Sequence, residues 1–171
     1  DRIRREGPLR LDAYMQACLA DPDHGYWHKA HAIGAQGDFI TAPEISQVFG
    51  EIVGLWAAST WQRFGAPSLV RLVELGPGRG TLMRDMLRAA RLIPQFTAAA
   101  HVHLVELSPA LRAAQRELLS AAGVPLAWHD GLAEVPAGPA LVIANEFLDA
   151  LPIRQIVFHD GAWRERMVAL D

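Results

Sequence analysis

The chain has 171 residues, 51% of them hydrophobic and 20% charged, which is enough for one compact domain with a core of its own. A net charge of −3 with no run of like charges lacks the electrostatic footprint of a nucleic-acid binder, and no segment is apolar and long enough to span a membrane or patterned as a signal peptide. The single cysteine, Cys18, excludes an internal disulfide and its neighbours Ala17 and Leu19 predict a small core residue, while the scattered histidines, His101 and His103 included, show no metal-ligand spacing.

Leu11, Tyr14, Met15, Cys18 and Leu19 recur at helical spacing across Leu9–Leu19, and Asp21-Pro22-Asp23-His24-Gly25 stops that helix. An irregular stretch follows, ending in Gly37-Asp38-Phe39-Ile40. Thr41 and Glu44 then supply a Thr-x-x-Glu capping box. From there Ile45, Val48, Phe49, Ile52, Trp56 and Thr60 form one face of a long amphipathic helix that ends at Gly65.

Beyond Gly65 strands alternate with helices, the signature of a parallel sheet with crossover helices. Val70–Leu75 reads as a strand, followed by a glycine loop and a helix to about Ala90. Val102–Glu106 is a second strand, followed by a helix from Pro109 to Ala122 with Ser108 as its N-cap. Leu126–His129 and Ala140–Ala144 are the third and fourth. Ile153–Phe158 and Trp163–Val168 flank the turn His159-Asp160-Gly161-Ala162. The expected organisation is an N-terminal helical segment with a loop over 1–66 and a Rossmann-like α/β core over 67–171, with helices on both faces. A sheet of this kind has more strands than are accounted for, which predicts a piece of a longer protein, and Asp1 in place of an initiator methionine points the same way.

The chemistry concentrates at the strand ends, where open α/β sheets bind their ligands. Glu74-Leu75-Gly76-Pro77-Gly78-Arg79-Gly80 breaks a strand into three alternating glycines and restarts as a helix. Such a loop lets backbone approach a ligand closely and offers free amide donors. The spacing departs from the dinucleotide Gly-x-Gly-x-x-Gly, and Glu74 would repel a pyrophosphate yet attract an ammonium group. Glu106, closing the second strand, can accept hydrogen bonds from both ribose hydroxyls. Asp130, closing the third, either accepts from an adenine amino group or is a simple turn aspartate. The fourth strand closes on Asn145-Glu146-Phe147-Leu148-Asp149-Ala150-Leu151-Pro152, which sets an amide and two acids together. Glu146 and Asp149 share a face if this segment is a helical turn, and carboxylates suit a guanidinium. Alternatively Asp149 caps a short helix and Glu146 faces water.

Strand, acid and glycine loop resemble motif I of class I S-adenosylmethionine (AdoMet) methyltransferases. Gly25-Tyr26-Trp27, Gly37 to Ser46, Glu74 to Gly80, Glu106-Leu107-Ser108-Pro109 and Asn145 to Pro152 are together similar to successive signatures of the MidA-like methyltransferase family, over nearly the whole chain. The resemblance implies an AdoMet-dependent enzyme whose cofactor lies on Glu74, Gly76, Gly78, Gly80 and Glu106. It makes Gly37 to Glu44 a pocket wall or lid, with Asp38 and Thr41 near the methionine tail. Asn145, Glu146 and Asp149 are then the catalytic candidates. The family's mitochondrial member is a complex I assembly factor that methylates arginine on a complex I subunit. This implies a protein substrate, in the cytoplasm of a bacterium or in the mitochondrial matrix, with no nucleic-acid or membrane partner; the oligomeric state stays open. The rival readings are a non-catalytic assembly factor on the same fold and a nicotinamide dehydrogenase.

Overall fold

The computed structural model describes residues 2–21, 23–26 and 41–171. In chain order these form α1 (Arg2–Glu6), β1 (Leu9–Arg10), α2 (Leu11–Ala20), α3 (Ala42–Ile45), α4 (Gln47–Arg63), β2 (Val70–Leu75), α5 (Thr81–Ala90), α6 (Pro94–Ala99), β3 (Ala100–Val105), α7 (Pro109–Leu118), β4 (Leu126–His129), β5 (Ala140–Ile143), β6 (Ile156–His159), β7 (Ala162–Glu165) and β8 (Met167–Val168). Two compact units result, one from residues 33–147 and the other from 1–32 with 148–171.

In the 33–147 unit a four-stranded parallel sheet runs in the order β4-β3-β2-β5. The chain steps outward from β2 to β3 and β4, then returns to the other flank of β2. The place where direction reverses lies between β2 and β5, and that is where such sheets open a crevice. Alternate strand residues, Val70 and Leu72 with Val102, Leu104, Leu141 and Ile143, enter one core with side chains of α4, α5 and α6. Phe96, Met83 and Met86 are fully buried there, each contributing about 1.5–3 kcal/mol relative to exposure.

Helix α4 is assigned by sequence to the N-terminal segment, yet it packs within this unit on α5. It does so by a face that shares with the predicted one only its edge, where Phe49 packs against the core. Ile45, Val48, Ile52 and Trp56 are exposed, whereas Gly50, Gly54, Ala57, Ala58 and Trp61 are buried. Small residues let the two helix backbones come close: a Cβ on Gly54 would collide with the Met86 carbonyl, and one on Gly50 would stand 2.6 Å from Asp85 Cβ. The predicted capping box also differs. Thr41 precedes the short α3 without a side-chain cap, and Ser46 starts α4 instead, its Oγ accepting from the Val48 amide.

In the other unit β1 pairs with β8 and β6 with β7, both antiparallel. The expected single strand over 163–168 is therefore divided between two partners, and Leu9 begins a strand rather than a helix. Asp160 and Gly161 both take positive φ, +50° and +74°, as a tight two-residue hairpin requires. Cys18 is exposed, contrary to the expected core position, because α2 buries none of its residues. Among the described residues no helix is long and apolar enough to cross a membrane, and no group of three or more His, Cys, Asp or Glu could hold a metal ion.

Candidate active site

Parallel strands bring their carboxyl ends to one edge, so Glu74, Glu106, Asp130 and Asn145 close four neighbouring strands in a row. The loop after β2 takes positive φ at Gly76 (+62°), Gly78 (+54°) and Gly80 (+87°), a conformation that side chains with a Cβ resist. Gly76 donates its amide to the Val105 carbonyl at 3.0 Å and Gly80 to Pro77 at 2.8 Å. A Cβ on Gly76 would also stand 2.5 Å from the ring of Phe147, which arrives from the end of β5.

Glu74 is 3% exposed, and its Oε2 has no hydrogen-bond partner. Burial pushes its carboxyl up to about 8, because the charged form is poorly solvated there. A buried oxygen left unpaired beside a glycine loop costs stability until something donates to it.

Glu106 is held in place from several sides. Its Oε1 accepts the Ser108 amide at 2.8 Å, its backbone carbonyl accepts Arg112 Nε at 2.6 Å, and Gln115 Nε2 lies 3.5 Å from Oε2. Burial raises its pKa, while the Ser108 and Leu107 amides, Gln115 and Arg112 pull the other way. The Arg112 guanidinium also pairs with Asp130. One side chain thus ties the backbone that closes β3 to the acid that closes β4.

At the end of β5 no single helical turn carries both acids, so the condition for Glu146 and Asp149 to share a face is not met. Asn145 is half-buried, and Glu146 is exposed with φ +46°. Asp149 lies in a 3-10 turn, Leu148–Ala150, belonging to the other compact unit. Thr41 is described but makes no side-chain cap, whereas Glu44 of the same segment accepts a 2.6 Å hydrogen bond from the Thr81 hydroxyl at the start of α5. Asp38 lies outside the described residues.

The sequence pattern did not single out two residues that organise this edge, Gln115 and Arg112, and it placed Glu44 in the capping box and at the end of the Gly37 to Glu44 wall or lid without a bond to Thr81. Gln115 alone carried a readable signal. It falls at helical spacing between Leu111 and Leu119 on the inward stripe of α7, where a polar side chain needs partners.

Residues 52–171 match the model of a family described as S-adenosyl-L-methionine-dependent methyltransferase. The chain is similar to the protein arginine methyltransferase NDUFAF7 homolog, mitochondrial, of Drosophila melanogaster, with 41% identity over 98% of this chain and 43% of the relative. It is similar to the human protein arginine methyltransferase NDUFAF7, mitochondrial, with 36% identity over 99% of this chain and 44% of that protein. The crystal structure of a Burkholderia thailandensis protein bound to S-adenosyl-homocysteine superposes with a TM-score of 0.81 at 32% identity, covering 99% of this chain and 44% of that one. The chain thus spans less than half the length of these relatives.

Proposed function

The chain belongs to this S-adenosyl-L-methionine-dependent methyltransferase family, and from that premise we propose that its protein transfers a methyl group from AdoMet to a protein side chain, an arginine nitrogen. The observation that carries the reading is Glu74, a buried carboxyl group with an unpaired oxygen beside three positive-φ glycines at the reversal point of the sheet.

These residues fit the cofactor chemically. Glu74 gains from a cationic ammonium what its surroundings withhold, and Gly78, without a Cβ and at positive φ, lets the backbone approach a bulky polar ligand closely. Glu106, braced by Ser108, Gln115 and Arg112, would receive the ribose, and Asp130 the adenine edge. Thr41 and Asp38 would complete the methionine side. When bound, the sulfonium supplies an electrophilic methyl group. What remains for the protein's own residues is positioning and proton removal. Asn145 and Glu146 orient the acceptor nitrogen, and a carboxylate takes up its proton. Asp149 is the additional acid proposed for holding a guanidinium.

The arginine assignment rests on the likeness to relatives named as protein arginine methyltransferases. A subunit of respiratory complex I is the substrate proposed from the resemblance to the MidA-like family, in the mitochondrial matrix or, for a bacterial chain, the cytoplasm. Incubating the full-length protein with AdoMet and candidate subunits, then looking for a mass increase on arginine, tests the activity. Cofactor binding without any mass increase would turn the reading to a non-catalytic assembly factor.

A further inference from the structure

Gln115 has no exposed surface, and both ends of its carboxamide are used. Nε2 donates to the Gly78 carbonyl at 2.6 Å, while Oε1 accepts from Trp128 Nε1 at 2.8 Å. The same Nε2 stands 3.5 Å from Glu106 Oε2. Gly80 closes over the residue as well, since a Cβ there would stand 3.3 Å from Gln115 Cγ. One amide group on α7 therefore touches the glycine loop, the acid that closes β3, and an indole of β4 whose ring is covered by Arg116 at 4.7 Å. Trp128 in turn fixes which end of the amide faces Gly78, because an indole N–H can only donate.

We propose that Gln115 is a positioning residue: its carboxamide holds the Gly78 peptide and the Glu106 carboxylate in the arrangement that receives the adenosyl ligand. This rests on the cofactor reading above. The Gly76 and Gly80 amides anchor the loop on either side of that peptide, and a glycine peptide left unfixed between them would lose conformational freedom when the ligand binds. Gln115 removes that loss in advance, which is preorganisation of the site.

Two variants separate the role from simple packing. Gln115→Met keeps chain length and much of the volume but makes neither hydrogen bond. Gln115→Glu keeps the acceptor for Trp128 but, when ionised, faces the Gly78 carbonyl and Glu106 with like charge; when protonated it can donate to Gly78 again. The readout is calorimetric affinity for S-adenosyl-homocysteine of the full-length protein between pH 5.5 and 8, expressed relative to the parent at each pH. Both variants are expected to bind at least about tenfold more weakly at pH 8, with the Glu variant recovering towards the parent as pH falls and the Met variant showing no recovery. Should the Met variant fail to fold, Trp128→Phe, which removes the indole donor and keeps an aromatic ring at that place, is expected to weaken binding severalfold. If the parent binds and the folded variants bind within about threefold of it at every pH, the Gln115 proposal is overturned and the cofactor reading stands. No binding by the parent itself overturns both.

Discussion

The Thr81 hydroxyl donates a 2.6 Å hydrogen bond to the Glu44 carboxylate, tying the short helix α3 to the first residue of the helix that follows the glycine loop. The bond is charge-assisted and partly buried, the class worth about 1.5–3 kcal/mol. Thr81→Val is expected to lower stability by about 1–2 kcal/mol and to weaken S-adenosyl-homocysteine binding, because the segment that carries Thr41 loses its anchor. Thermal melting and calorimetry on the same variant check both effects.

Glu74 gives a pH signature. Its carboxyl is raised from 4.5 to about 8 by burial, so the folded protein holds that proton more tightly than the unfolded chain. Its contribution is fully present below the ordinary value and is lost as pH rises through about 8. His103, lowered chiefly by burial and then by His129, acts in the opposite sense only below its ordinary value of 6.5. Between pH 6.5 and 8 the melting temperature of the ligand-free protein should therefore fall. Glu74→Gln should flatten most of that slope. An unchanged slope in the variant would remove Glu74 as its source.

The close contact of α4 with α5 predicts a stability effect remote from the site. Alanine at position 54 would drive its Cβ into the Met86 carbonyl, which α5 can relieve only by moving. Gly54→Ala should destabilise by about 1–3 kcal/mol, outweighing the helix propensity alanine gains. Chemical denaturation of the variant measures this.

Much of the fold could be read from the sequence because its signals are local. Apolar runs marked the four parallel strands, three of them just after a proline (Pro67, Pro125 and Pro139), and Ser108-Pro109 marked the start of α7, where Ser108 Oγ accepts from the Leu111 amide. The orientation of α4 could not be read that way. Its large apolar residues define a stripe, but tertiary packing chose the side with Gly50 and Gly54, where backbones approach most closely. The strand-end acids were visible as candidates because sheet topology aligns them. Of their supports, Arg112 looks like an ordinary polar residue of an amphipathic helix, and Gln115, though it falls on the inward stripe of α7, has no visible partner until Trp128 of β4 is placed beside it.

Glu146 is expected to act on the transfer step. Exposed and held at φ +46°, it is free to meet an incoming side chain. Glu146→Gln should slow methyl transfer by about 10²-fold or more, the scale of a lost proton acceptor, and leave S-adenosyl-homocysteine affinity within about twofold. Single-turnover rates beside calorimetry separate the two; equal losses in both would take Glu146 out of the transfer step.

The glycine loop and Glu74 are, on this reading, an adenosyl-ligand site, and everything proposed for the other strand ends depends on it. Calorimetric titration of the full-length protein with S-adenosyl-homocysteine, with NADH as the comparison, tests that most directly. The predicted result is one S-adenosyl-homocysteine per chain, binding lost in Gly78→Val because a β-branched side chain is disfavoured at φ +54°, and no heat from NADH. Binding of NADH in place of S-adenosyl-homocysteine, or undiminished affinity in Gly78→Val, would contradict it.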